Sequence, residues 1–206
     1  MRSDLKLLLE YKDWAEEQKL REPDYFQRLA ADQKPQFLWI GCSDSRVPAD
    51  TIVNAAPGAI FTHRNIANQV IATAFNCLSV IQFAVEVLKV QHIIVCGHYN
   101  CCGVRASLDR HRPELALIAN RLIELNVIEQ VRRLSHFAIV QSAWKNDQRP
   151  TLHGWVFALE DGILRQLITL PPRQRHRPNA SAIWPRGRIG GLVIATRIVP
   201  RRRRAC

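Results

Sequence analysis

No run of about eighteen apolar residues occurs in the 206-residue chain, so no membrane-spanning helix is expected. The N-terminus alternates acids and bases and has neither the apolar core nor the small-residue cleavage site of a secretory leader. A regular cysteine framework is also missing. The six cysteines, at 42, 77, 96, 101, 102 and 206, do not fit a small secreted disulfide scaffold, which points to a reducing cytoplasm with some thiols on metal. No internal repeat is visible. From Arg165 onward there is no acid and no lysine, only eleven arginines. Of 29 bases, 18 therefore precede Arg165, against all 18 acids, and the net charge of +11 belongs to the C-terminal part alone.

What remains reads as one α/β domain over 1–170, followed by a basic, poorly ordered tail over 171–206. Apolar periodicity predicts a helix over Asp4–Lys19, capped by Ser3, with Leu5, Leu8, Leu9 and Trp14 in a stripe. A second helix opens at Pro23 and turns Tyr25, Phe26 and Leu29 inward; both helices are expected to pack on the body or on a partner subunit. Strands are predicted at Phe37–Cys42, Ile60–His63, His92–Cys96, Ala138–Trp144, Leu152–Leu159 and Ile163–Leu170, with a hairpin signal at Asp161-Gly162. A short helix is placed at Asp50–Ala55, and helical patterning follows the Cys101-Cys102-Gly103 loop through Leu108. Residues 73–90 are apolar nearly all round and predict a helix buried between layers, and 114–134 predict another helix. Alternation of strands and helices gives a central, mainly parallel sheet flanked by helices, with antiparallel additions at one edge.

Two strand ends carry the chemistry. The run Phe37-Leu38-Trp39-Ile40-Gly41 ends in Cys42, Asp44 and Arg46, and His92–Gly97 ends in His98 and Cys101. Ligands in open parallel sheets gather beyond the carboxyl ends of strands. Zinc takes thiolate and imidazole in a four-coordinate site, so Cys42, His98 and Cys101 suggest one shared zinc per chain. Cys77 and Cys96 read as core thiols. Asp44 and Arg46 form either an ordinary surface ion pair or a gate in which arginine keeps the carboxylate off the metal.

Cys42-x-Asp44-x-Arg46 with His98-x-x-Cys101 resembles the beta-class carbonic anhydrases. The segments Trp39–Ala49, His63-Arg64-Asn65, Cys96-Gly97-His98, Gln141–Trp144 and His153-Gly154-Trp155 are similar to the bacterial branch. The resemblance implies a zinc enzyme, a lyase interconverting carbon dioxide and bicarbonate, assembled as a homodimer or a dimer of dimers whose N-terminal helices embrace the neighbour. It implies that Asp44 is a fourth ligand or the hydrogen-bond acceptor beside the metal, paired with Arg46. It further implies that Gln33 donates to substrate and that Phe61, Ile66 and Phe83 line an apolar pocket across the dimer interface. Some bacterial members hold inhibitory bicarbonate with a tryptophan, an arginine and a tyrosine. Trp39 and Arg64 match the first two, and Phe157 stands at the tyrosine position.

The sequence departs from the family at Cys102, usually glycine, which is either a small residue at a helix start or a competing thiolate. It departs again in the short connection Arg110–Arg121 before Glu124-Leu125-Asn126-Val127, and in the arginine-rich tail. Two alternatives stand beside catalysis: a non-catalytic zinc protein of this fold, and polyanion binding through the tail.

Overall fold

A computed structural model describes residues 2–108 and 115–172. The basic stretch 173–206 and residues 110–114 of the shortened connection therefore lie outside the described residues. Five strands form one sheet in the order β2-β1-β3-β4-β5: β1 Phe37–Cys42, β2 Ile60–Asn65, β3 His92–His98, β4 Thr151–Phe157 and β5 Leu164–Leu170. The first four pair in parallel, β4 included, whereas a turn at Asn146-Asp147-Gln148 after a strand at 138–144 predicts β4 as an antiparallel addition. β5 runs antiparallel to β4, as the Asp161-Gly162 turn predicts. β1 and β3 lie at the centre and are buried along almost their whole length, which is why they read as continuous apolar runs. Their register sets Gly41 opposite Cys96. Cys42 and His98 consequently leave the sheet side by side at the same end.

One sheet face, with Leu38, Ile40, Ile93, Val95 and Leu152, is covered by helices α4 (Phe75–Gln82, continued by a π turn over Phe83–Val87), α6 (Leu115–Ser135) and α7 (Ala138–Asn146). Burying each such side chain stabilises the domain by about 1.5–3 kcal/mol. α6 lies hard against the strand that carries His98. A Cβ on Gly97 would sit 2.6 Å from Val127 Cγ2 of α6, so only glycine allows this approach. The other face carries a smaller cluster of Trp39, Ala49, Ile94 and Cys96, reached by the short helix α3 (Ala49–Ile52).

Four expectations need correction. Ala138–Trp144 is not a strand but most of α7. Val140, Ala143 and Trp144 are buried at spacings of three and four, while Gln141 and Ser142 face out, and Trp144 Nε1 donates to Pro150 O at 2.6 Å. Residues 73–90 are not buried all round. Cys77, Ile81, Ala84 and Val85 face the core, whereas Phe75 is 85% exposed and Val87 60%. The N-terminal helices α1 (Ser3–Arg21) and α2 (Tyr25–Ala31) bury no residue. Leu5, Leu8, Leu9 and Trp14 stay about half exposed, and Trp14 meets Tyr25 and Phe26 edge-on, which pins α2 to α1. Leu29, expected inward, is 40% exposed but lies by Gly58 of the body, so the face left open is that of α1, as the expected packing on a partner subunit requires. Finally, Ser3 is the first helical residue rather than the cap, Pro23 lies in the turn ahead of α2, and α3 starts one residue before the predicted Asp50.

Candidate metal centre

Cys42 ends β1, His98 ends β3, and Cys101 precedes α5 (Cys102–Arg105). All three are buried, and their ligand atoms lie within 4.8 Å of one another. Cys42 Sγ and Cys101 Sγ are 3.8 Å apart. His98 Nδ1 lies 3.0 Å from the Tyr99 carbonyl, which can only accept, so Nδ1 carries the proton and Nε2 presents its lone pair. That Nε2 is buried without a hydrogen-bond partner, with Asp44 Oδ2 at 3.7 Å. The mutual hydrogen bond drives the Cys42 thiol down and the Cys101 thiol up. Backbone N–H groups of Asp44 and Ala67 further favour the Cys42 thiolate, and those of Val104 and Gly103 the Cys101 thiolate. An orphaned imidazole nitrogen facing two sulfurs is the donor set that zinc takes.

Asp44 and Arg46 are paired through both ends of the guanidinium. Nε donates to Oδ1 at 2.9 Å, Nη2 to Oδ2 at 2.6 Å, and the Arg46 backbone N–H adds 3.0 Å to Oδ1. The carboxylate side chain is only 13% exposed and the guanidinium 50%, so this differs from an ordinary surface pair at its inner end. The Arg46 guanidinium holds the Asp44 carboxyl well below the usual carboxylate range.

The remaining expected residues are distributed as follows. Arg64 Nε donates to Cys42 O at 2.9 Å, and Nη2 to Asp44 O at 2.6 Å and Val47 O at 3.4 Å. Trp39 is buried edge-on to Trp155 with ring centroids 6.1 Å apart, and Phe157 packs in the same apolar cluster. Phe61 and Phe83 stack obliquely at 5.8 Å. Phe61 is level with Leu38, four residues short of the Cys42 end, about 13 Å along the strand. Ile66 is exposed and lies against Gly103, beside the metal cluster. Gln33 is exposed ahead of β1, at the end of the sheet opposite Cys42. Cys77 and Cys96 are core thiols raised by burial. Cys102 is exposed at the start of α5 and outside the three-ligand group.

Sequence reasoning missed the supports supplied by α6. Asn126 Nδ2 donates to Ala67 O at 3.0 Å, and the Val70 N–H to Gln130 Oε1 at 2.9 Å. These bonds tie the Ile66–Val70 loop, with its Ala67 N–H toward Cys42, to the helix. The available signal was Gln130, a polar residue in register with Ile123, Val127, Val131 and Leu134 on a buried stripe.

A family model described as carbonic anhydrase matches residues 37–122 and 112–164, in two pieces that overlap across the shortened connection. A carbonic anhydrase of Emericella nidulans is 44% identical over 179 residues, covering 75% of this chain and 78% of the relative. A carbonic anhydrase of Pseudomonas aeruginosa is 34% identical, covering 69% of this chain and 77% of the relative. Among solved structures, a tetrameric beta-carbonic anhydrase from Sordaria macrospora superposes with a TM-score of 0.76 at 31% identity, covering 82% of this chain and 98% of that one. With the family model spanning more than half of the sequence and the cysteine–histidine–cysteine cluster in place, the chain belongs to the beta-class carbonic anhydrases.

Proposed function

We infer that the protein is a carbonic anhydrase, a lyase that reversibly hydrates carbon dioxide to bicarbonate and a proton. The observation that carries this reading is the orphaned His98 Nε2 facing Cys42 and Cys101, with an ionised Asp44 beside it. Cys42, His98 and Cys101 would hold one zinc, which supplies the Lewis acidity that makes water nucleophilic near neutral pH.

The chain's own residues then do the following. Arg46 holds Asp44 ionised and turned toward itself, away from direct coordination. Asp44 Oδ2, 3.7 Å from His98 Nε2, accepts a hydrogen bond from the attacking water and thereby aims its lone pair. Ile66 gives the mouth of the site an apolar wall suited to carbon dioxide. Gln33, Phe61 and Phe83 lie toward the other end of the sheet, so their service to substrate runs across a dimer interface, to the partner's centre. The exposed stripe of α1 and the uncovered face of α4 support that assembly as a dimer or a dimer of dimers. So does the tetrameric neighbour. Among the described residues, no helix is long and apolar enough to cross a membrane.

The Pseudomonas relative supports a bacterial affinity, and the Emericella relative, at higher identity, supports a fungal one more strongly. The free cysteines support residence in a reducing compartment such as the cytoplasm. A role for the arginine-rich 171–206 in binding polyanions is a separate proposal, supported by its charge alone.

Stopped-flow carbon dioxide hydration, with zinc quantified in the same sample, tests the assignment. One zinc per chain and hydration that disappears in His98→Ala are expected. A zinc-loaded assembly without hydration would mark a non-catalytic relative instead.

A further inference from the structure

We propose that Glu124, acting through the Tyr99 hydroxyl, is a positioning residue for the His98 imidazole, so that metal affinity at this centre is set partly from α6. The inference rests on reading Cys42, His98 and Cys101 as the zinc ligands.

Tyr99 is held at three points. Its N–H donates to Phe157 O at 2.9 Å, which extends the β3–β4 ladder by one bond. Its carbonyl accepts the Nδ1–H of His98 at 3.0 Å. Its hydroxyl donates to Glu124 Oε1 at 2.6 Å, and Arg121 Nη1 reaches the other oxygen of Glu124 at 2.5 Å. The first and third bonds fix the peptide plane whose oxygen orients the ligand ring. Hydrogen bonds weaken steeply as they bend, so a few tens of degrees of freedom at Tyr99 would release the imidazole from its tautomer and angle.

Between Tyr99 and Cys101 the loop has one further side-chain bond. Asn100 turns with φ 58°, and its side chain bonds Glu160 at 3.1 Å on the exposed surface, where such contacts contribute little. Cys101 follows directly but is held from its own side, its carbonyl accepting the Arg105 N–H at 3.0 Å, so the anchor at Tyr99 acts on His98. α6 can serve as the anchor because Gly97 lets Val127 touch the strand.

Outer partners of metal-bound histidines typically govern about ten- to a hundredfold in metal affinity. The test uses the full zinc-loaded chain and its Tyr99→Phe, Glu124→Ala and doubly substituted variants, titrated with a chromogenic chelator. Tyr99→Phe keeps the ring and removes only the donor, so the test does not depend on Glu124→Ala folding well. Each single variant is expected to weaken zinc binding about ten- to a hundredfold while far-UV circular dichroism and assembly state stay unchanged. The double variant should be no weaker than the weaker single one, because both residues act along one path. Glu124→Gln, which keeps an accepting oxygen, should retain more affinity than Glu124→Ala. Zinc affinities equal to that of the unmodified chain in both Tyr99→Phe and Glu124→Ala would overturn the inference, as would additive losses in the double variant. If the unmodified chain binds no zinc, the ligand reading fails and the inference falls with it. If it binds zinc and loses it only in His98→Ala, the positioning role alone fails.

Discussion

Arg64, on β2, donates to the backbone carbonyl oxygens of Cys42 and Asp44, and this joins the loop bearing the thiol and the carboxylate to the neighbouring strand. The Cys42–Val47 segment leaves the sheet without a ladder of its own beyond Ser43, whose N–H reaches Asn65 O at 3.0 Å. Arg64 supplies what the ladder does not. Arg64→Ala should therefore destabilise the domain by about 1–2 kcal/mol, since it removes the bonds to Cys42 and Asp44 and a longer one to Val47, all from a solvent-facing guanidinium. It should also loosen zinc by freeing the carbonyl side of Cys42. Urea unfolding and chelator titration check the two effects. A stable variant with normal zinc affinity would show that the loop holds its shape unaided.

The Asp44–Arg46 pair makes a prediction about both turnover and acid stability. With Arg46→Ala the carboxylate is free to swing toward the metal, so hydration should fall at least a hundredfold while zinc content is kept. The folded pKa of Asp44 lies below its unfolded value near 3.9. The stability it contributes is accordingly full above about pH 4 and lost as pH falls through the depressed folded value. Arg46→Ala raises that folded value toward the ordinary one and removes most of this dependence. Urea midpoints between pH 4 and pH 2 should thus fall more steeply for the unmodified chain than for the variant. Parallel curves, or near-normal turnover in Arg46→Ala, would count against the pairing.

The cysteine–histidine–cysteine cluster was legible because its residues follow directly on apolar runs. Phe37–Gly41 and His92–Gly97 announce buried strands, and what comes next sits at the sheet's carboxyl end. The supports of the centre left no such trace. Arg64 bonds carbonyl oxygens, which every residue has, and Glu124 meets Tyr99 across 25 positions of sequence. Ala138–Trp144 misled because Ile139 and Val140 favour strands locally. What decides the segment is the buried stripe of Val140, Ala143 and Trp144, which exists only against the sheet. Likewise, an apolar sequence at 73–90 says that some surface must be covered, not whether this chain covers it. The exposure of Phe75 and Val87 is that unsatisfied remainder.

Close packing at Gly97 gives a stability prediction independent of chemistry. Gly97→Ala places a Cβ 2.6 Å from Val127 Cγ2 and 3.3 Å from Ile123 Cγ2, both on a helix that cannot shift without moving Glu124 and Asn126. Overpacking of this kind costs about 1–3 kcal/mol. Adding Val127→Ala makes room at the closest contact and should recover part of that loss. Denaturant unfolding of the single and double variants decides it, and a Gly97→Ala chain as stable as the unmodified one would mean that α6 moves away freely.

The last prediction concerns inhibition by product. The resemblance implies an inhibitory bicarbonate site made of a tryptophan, an arginine and a tyrosine, and this chain has Trp39, Arg64 and Phe157 at those positions. Arg64 directs two of its nitrogens at backbone carbonyls, Trp39 is buried edge-on to Trp155, and Phe157 has no hydroxyl. An anion arriving there meets a cation already engaged and lacks one donor. A hydrogen bond to a charged group contributes about 1.5–3 kcal/mol, roughly ten- to a hundredfold in affinity. Bicarbonate should therefore inhibit hydration only feebly. Phe157→Tyr should strengthen inhibition about tenfold, the lower end of that range, because Arg64 remains committed to the loop. Hydration rates against rising bicarbonate, for both proteins at constant ionic strength, provide the measurement. Strong cooperative inhibition of the unmodified chain would show that Arg64 releases its carbonyls for the anion, and that the missing hydroxyl is immaterial.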